Sequence, residues 1–177
     1  MRLKKIVVIG PESTGKSTLC SQLAAHYKTL WCPEYAREYL EKNGTEYNYE
    51  DLLNIAKGQI ELEEKTLSTL NHQSSTVFID TDMYVMRVWC EFVFGKCYNW
   101  ILNQIATRKY DLYLLCNVDL PWIADELREY PDIKTRNKLY HYYKDIMINQ
   151  SVKFIDISGD YDKRLQAAIN AVDSLNN

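Results

Sequence analysis

Ile6-Val7-Val8-Ile9-Gly10-Pro11-Glu12-Ser13-Thr14-Gly15-Lys16-Ser17-Thr18-Leu19 decides the fold. An apolar β-branched run enters G-x-x-x-x-G-K-S, and a helical pattern follows. β-Branched side chains favour a buried strand. The glycines let the loop fold back so that its N–H groups point inward and cradle a phosphate. A nucleotide triphosphate site is therefore expected over Gly10, Pro11, Glu12, Ser13, Thr14, Gly15, Lys16, Ser17 and Thr18. Lys16 is expected to reach the β- and γ-phosphates, and the Ser17 hydroxyl to ligate Mg²⁺. The helix that follows adds its positive N-terminal end to the same spot.

Outward from this loop, strands and helices alternate. Thr29 to Cys32 reads as a second strand, stopped by Pro33. Glu34 to Lys42 reads as a short helix ended by Asn43-Gly44. Asn48 is placed to cap a long helix running to about Asn71, with Asp51 completing a capping box. Thr76 to Asp80 and Leu112 to Cys116 are apolar runs of the length expected in a parallel sheet. Met83 to Phe94 is apolar nearly all round and reads as a buried helix; Trp100 to Arg108 continues helical. Asp132 to Asn149 is helical, Val152 to Ile157 is the last strand, and the final helix shows Tyr161, Leu165, Ala168, Ile169 and Val172 on one face. This order calls for a three-layer α/β fold on a parallel sheet of about five strands. The 177 residues suit one domain, with a lid around residues 120–136.

A net charge of −3 gives no electrostatic case for nucleic acid. No segment approaches the roughly twenty apolar residues of a membrane span. The apolar run near the N-terminus is too short for a signal peptide. Cys20, Cys32, Cys90, Cys97 and Cys116 form no C-x-x-C pair. They read as buried apolar residues of a reducing cytoplasm. Tyrosine outnumbers phenylalanine 14 to 4, which suits either an aromatic ligand pocket or a tyrosine-rich surface. His26, His72 and His141 are scattered, and none is expected to be catalytic.

In such folds ligands sit beyond the carboxyl ends of the strands. Asp80, at a strand tip beside the loop, is the expected second Mg²⁺ contact. Asp82 either joins this site or caps the next helix. Glu34 sits at the end of the second strand, where a carboxylate accepts the proton of a substrate hydroxyl. Arg37, one turn on, touches phosphate, orients Glu34 or makes an exposed ion pair. Arg128 and Arg136 either neutralise charge from a lid or form a solvated basic pair. Gly159 and Tyr161 follow the last strand, at a turn that often lines an adenine pocket.

A guanine-reading N-K-x-D is absent, since Asn117-Val118-Asp119 lacks the lysine. A motor ATPase would carry a carboxylate pair where Asp80 is followed by Thr81. A small kinase fits best.

Three stretches sharpen this: Gly10 to Ser17, Pro33-Glu34-Tyr35-Ala36-Arg37-Glu38-Tyr39, and Phe78-Ile79-Asp80-Thr81-Asp82. Together they resemble the ribosylnicotinamide kinase domain of the bacterial NadR proteins. The likeness continues more weakly through Pro121-Trp122 and Gly159-Asp160-Tyr161. It implies ATP- and Mg²⁺-dependent phosphorylation of the ribose 5′-hydroxyl of nicotinamide riboside. Under it, Lys16, Ser17 and Asp80 serve the donor, Glu34 or Asp82 takes the hydroxyl proton, and Arg37, Arg128 and Arg136 neutralise charge. Glu12, which the family matches with an acidic residue, is expected to point away from the phosphates. The DNA-binding and adenylyltransferase parts of larger members fall outside this sequence. Where a family tryptophan precedes E-Y, this chain has Pro33, so stacking on the acceptor is expected from Tyr35, Tyr39, Tyr84 or Trp89. The other readings are a kinase for a different nucleoside and a regulatory ATPase with a protein partner.

Overall fold

A computed structural model describes residues 2–70 and 74–175. Strands β1 (Lys4–Ile9), β2 (Trp31–Cys32), β3 (Thr76–Asp80), β4 (Leu112–Cys116) and β5 (Phe154–Ile157) form one parallel sheet in the order β2-β3-β1-β4-β5. The helices are α1 (Lys16–His26), α2 (Tyr35–Asn43), α3 (Tyr49–Ser68), α4 (Met83–Phe94), α5 (Asn99–Thr107), α6 (Ile133–Asn149) and α7 (Tyr161–Asp173). The expected end of α3 near Asn71, and His72, lie outside the described residues.

β1 explains the layering. Its side chains alternate faces, as any strand's do. Val7 and Ile9 pack with Val85, Val88, Leu139, Tyr143 and Met147 of α4 and α6. Ile6 and Val8 pack with Leu19 and Leu23 of α1 and Ala168 and Val172 of α7. Every residue of β3 and β4 is buried, which requires helices on both faces. A third cluster, Leu52, Ile55, Met83, Met86 and Ile101, joins α3 to α4 and α5 beside the sheet.

The chain leaves β1 for β2 and β3 on one side, then crosses to β4 on the other. The crevice at this switch point opens at the carboxyl end of β1, where the glycine loop begins. Gly10 has φ +141, and a Cβ on it would meet the Cys116 carbonyl oxygen at 2.6 Å, so only glycine lets the loop leave between β1 and β4.

Most boundaries fall where the sequence puts them, and the Asn48–Asp51 capping box forms. β2 is shorter than expected. Lys28 turns at φ +51 and the Thr29 N–H returns to the Ala24 carbonyl, so Thr29 completes the end of α1. α5 is a separate helix because Gly95 ends α4 in the left-handed region, φ +67. Among the described residues, no helix is long and apolar enough to cross a membrane.

Candidate active site

The phosphate loop is braced on all sides. Thr14 Oγ1 donates to the Pro11 carbonyl at 2.7 Å, and Lys16 Nζ donates to the same oxygen at 3.1 Å. Gly15, at φ +76, starts α1 in the left-handed region. Behind the loop, buried Arg164 donates to the carbonyls of Thr14, Asn117 and Gly159 and to the Asp119 carboxylate. These bonds engage the Pro11 and Thr14 carbonyls and fix the loop where it lines the crevice.

Ser17 Oγ donates to Asp80 Oδ2 at 2.5 Å. The other oxygen, Asp80 Oδ1, is buried with no hydrogen-bond partner among the described residues. Burial pushes the Asp80 carboxyl up, and the charge of Glu34 adds to this, while Lys16 and Ser17 pull it back. An unpaired buried oxygen beside a serine hydroxyl suits a hard divalent cation, which takes oxygen ligands.

Glu34 lies between the loop and the opposite wall of one cleft. Buried Gln59 of α3 fixes the corner that presents it. Gln59 Oε1 accepts from the Tyr35 N–H at 2.7 Å, while its Nε2 donates to the carbonyls of Pro33 and Asp80. Thr81 Oγ1 reaches Glu34 Oε1 at 3.4 Å. Beyond Glu34 the cleft turns aromatic and apolar: Val85, Val88, Trp89 and Phe92 of α4, Tyr130, and Leu139 and Tyr143 of α6.

The segment between β4 and α6 folds over this cleft. Glu12 Oε2 accepts the N–H groups of Glu129 at 2.9 Å and Tyr130 at 3.2 Å. Ser13 Oγ accepts from the Ile123 N–H at 2.9 Å and from Arg128 Nη1 at 3.4 Å. Arg37 Nη2 donates to Asp125 Oδ2 at 2.9 Å. Glu12 therefore points to the segment between β4 and α6. Burial raises its pKa, and the N–H groups of Tyr130 and Glu129 offset part of the rise.

A loop of this geometry on a five-strand parallel sheet is shared with known proteins, and residues 5–164 match the AAA_28 description, "AAA domain". The chain belongs to that family. The trifunctional NAD biosynthesis/regulator protein NadR of Escherichia coli (strain K12) is 27% identical over 175 residues, covering 96% of this chain and 42% of that protein. A crystal structure of NadR protein in complex with NR has a TM-score of 0.79 at 25% identity, covering 96% of this chain and 50% of that one. A crystal structure of NadR protein in complex with NAD and AMP-PNP has a TM-score of 0.78 at 26% identity, covering 96% and 48%. The chain spans about half the length of the solved relatives it matches. The resemblance noted in the sequence thus extends through nearly the whole AAA domain, and the fold is that of a P-loop kinase.

The AAA domain's cleft gathers Gly10 to Thr18, Glu34, Arg37 and Arg128. Asp80, fully buried, adjoins it through its hydrogen bond from Ser17, whereas Asp82, Arg136, Gly159 and Tyr161 do not line it. Asp82 is 2% exposed and its oxygens are engaged: Oδ1 caps α4 at the Tyr84 N–H, and Oδ2 accepts from the Tyr113 hydroxyl at 3.0 Å. Burial pushes its carboxyl up to about 7. Of the two expectations for Asp82, the structure shows the helix cap, and its side chain does not line the cleft.

Arg136 belongs to α6 rather than to a lid, is 3% exposed, and donates to the carbonyls of Ser13 and Leu120. It shapes the loop from behind instead of facing a phosphate. Arg37 makes an ion pair to Asp125 in the segment between β4 and α6, an arrangement its sequence neighbours do not reveal. Gly159 donates its N–H to Asp119 Oδ2 at 2.6 Å, and the Tyr161 ring lies 3.3 Å from where a Gly15 Cβ would be. Both buttress the loop outside the cleft. His26 and His141 are exposed and away from it.

Of the aromatics expected to stack on an acceptor, only Trp89 lines the cleft. Tyr35 packs on Gly58, Tyr39 bonds Asp51, and Tyr84 packs on Tyr113. Phe92, Tyr130 and Tyr143 were not legible as site residues. Phe92 and Tyr143 are hidden in helical periodicities that equally spell core, and Tyr130 in a loop.

Proposed function

We propose that the chain is an ATP-dependent kinase that phosphorylates the ribose 5′-hydroxyl of nicotinamide riboside, giving nicotinamide mononucleotide for NAD synthesis. The single observation that carries this is one continuous cleft with a phosphate loop at one end, an aromatic wall at the other, and Glu34 between them. The nicotinamide ring of that nucleoside carries a positive charge. The indole of Trp89 attracts such a cation, and the carboxylates of Glu34 and Glu129 add to the attraction. The likeness to NadR in complex with NR supports the named acceptor.

The chemistry assigned to these residues is compact. Glu34 accepts the proton of the 5′-hydroxyl as its oxygen attacks the γ-phosphorus and ADP departs. The loop N–H groups, Lys16 and Arg128 hold the phosphates and meet the charge that builds on the transferring group. Ser17 and Asp80 would hold Mg²⁺, which when bound supplies further neutralisation of phosphate charge. The lid excludes water, so that the acceptor hydroxyl and not water is the nucleophile. We place the protein in the cytoplasm, with residues 120–132, before α6, as the lid; its five free cysteines suit that compartment.

The test is ADP release measured across a panel of nucleosides, with the product identified by mass. Turnover with nicotinamide riboside, giving the 5′-phosphate, is expected. Turnover with a different nucleoside alone overturns the named acceptor. Slow hydrolysis that no nucleoside accelerates overturns the kinase assignment in favour of a regulatory ATPase.

A further inference from the structure

Tyr47 sits in the loop between α2 and α3 and does not line the cleft. The Trp89 indole Nε1–H donates to the Tyr47 hydroxyl oxygen at 2.7 Å, and the two rings meet edge-on, centroids 4.9 Å apart. The Tyr47 hydroxyl in turn donates to Glu129 Oε2 at 2.9 Å. The directions are forced, since an indole N–H only donates and a carboxylate only accepts. One hydroxyl therefore satisfies a wall residue and a lid residue together. The Glu129 main-chain N–H is already held by Glu12 of the phosphate loop. A chain of hydrogen bonds thus runs from the donor loop, through the lid, to the indole on the opposite wall. Burial raises the Tyr47 pKa, which keeps the hydroxyl protonated and able to donate.

We propose that Tyr47 is a positioning residue for the acceptor: it sets the Trp89 ring plane and ties that plane to lid closure. This rests on the kinase assignment above. Without the hydroxyl, the indole loses its hydrogen-bond partner and its orientation, and Glu129 loses the contact that draws the lid towards α4. The phosphate loop keeps its own contacts through Thr14, Lys16 and Ser17, so the larger effect falls on the acceptor.

Tyr47→Phe tests this, because the ring and its packing on Trp89 and Phe94 are kept. The acceptor KM is expected to rise about tenfold, while the ATP KM moves by less than about twofold. In a Glu129→Ala background the same substitution is expected to raise the acceptor KM by clearly less than it does in the wild type, because the contact to the lid is already gone and only the indole contact is left to lose. Equal changes in both KM values, or full additivity in the double variant, would overturn the positioning role. A readout independent of activity is the Trp89 indole N–H resonance, identified by its loss in Trp89→Phe. Its exchange with solvent is expected to accelerate in Tyr47→Phe. An unchanged resonance overturns the tie whatever the enzyme phosphorylates. An altered resonance without turnover on any nucleoside upholds the tie and removes the kinase assignment instead.

Discussion

The two ends of the cleft are built by different means. The donor end is one uninterrupted stretch, Gly10 to Thr18, whose shape is set by main-chain angles and which Ser17 ties to Asp80 at the tip of the neighbouring β3. The acceptor end is assembled from side chains of α4, α6 and the lid, which lie far apart in sequence. A main-chain site must use glycine where φ is positive or space is absent, as at Gly10 and Gly15. A side-chain site can be built from any large apolar residues that happen to converge. The first should fail abruptly when altered, and the second by degrees.

The steepest loss is expected at the donor end. Lys16→Ala removes the one side-chain cation within the loop and should lower kcat on the order of 10³-fold with every acceptor. Steady-state ADP release measures it, and a rate close to wild type would remove Lys16 from the phosphate site. Next comes the residue between the two ends. Glu34→Gln should lower kcat about 10²-fold, the usual contribution of a general base. Asp82→Asn is the control that gives this meaning. Asparagine caps a helix about as well as aspartate, so that variant should fold and keep a rate close to wild type. The opposite ranking of the two variants would return the base to Asp82.

The acceptor end should respond more mildly. Trp89→Ala should raise the acceptor KM about tenfold, within what one stacked ring contributes. The ATP KM should barely move. A matching rise in the ATP KM would mean that the two ends are one mechanical unit, and the contrast drawn above would collapse.

This contrast also sorts what could be foreseen. The sheet, its five strands and the loop were legible because main-chain requirements leave residue signatures: β-branched runs, glycine at fixed offsets, a capping box at Asn48 and Asp51. The place of Asp80 was legible, at a strand tip beside the loop, where it accepts from Ser17. Asp82 was not, since a carboxylate two residues later looks the same in sequence whether it faces a phosphate or a Tyr113 hydroxyl. Arg136 misled for a related reason. Arginine binds anions and main-chain carbonyls with the same fork, and only the fold shows that its partners are the carbonyls of Ser13 and Leu120. The aromatic wall was hidden because helix α4 is apolar nearly all round, save for the Arg87–Glu91 pair, and nothing local separates Trp89 and Phe92, which line the cleft, from Met83 and Met86, which face the core.

Glu12 is where the two ends touch, and it carries the smallest expected effect. Its carboxyl belongs to the donor loop but accepts the N–H groups of Glu129 and Tyr130. Burial raises its pKa above the ordinary 4.5. Between the unfolded and folded values the native state therefore holds a proton that the unfolded chain has released. Stability through this group must fall as pH rises across that window and be fully recovered below it. Glu12→Gln keeps an acceptor oxygen for the lid and removes the buried charge. Its melting temperature at pH 7 should exceed that of wild type by about 2 °C, and the gap should close as the pH is lowered towards 4.5. A gap that widened on acidification would mean that the charged form stabilises the fold, and that the lid is held by charge and not by hydrogen-bond geometry.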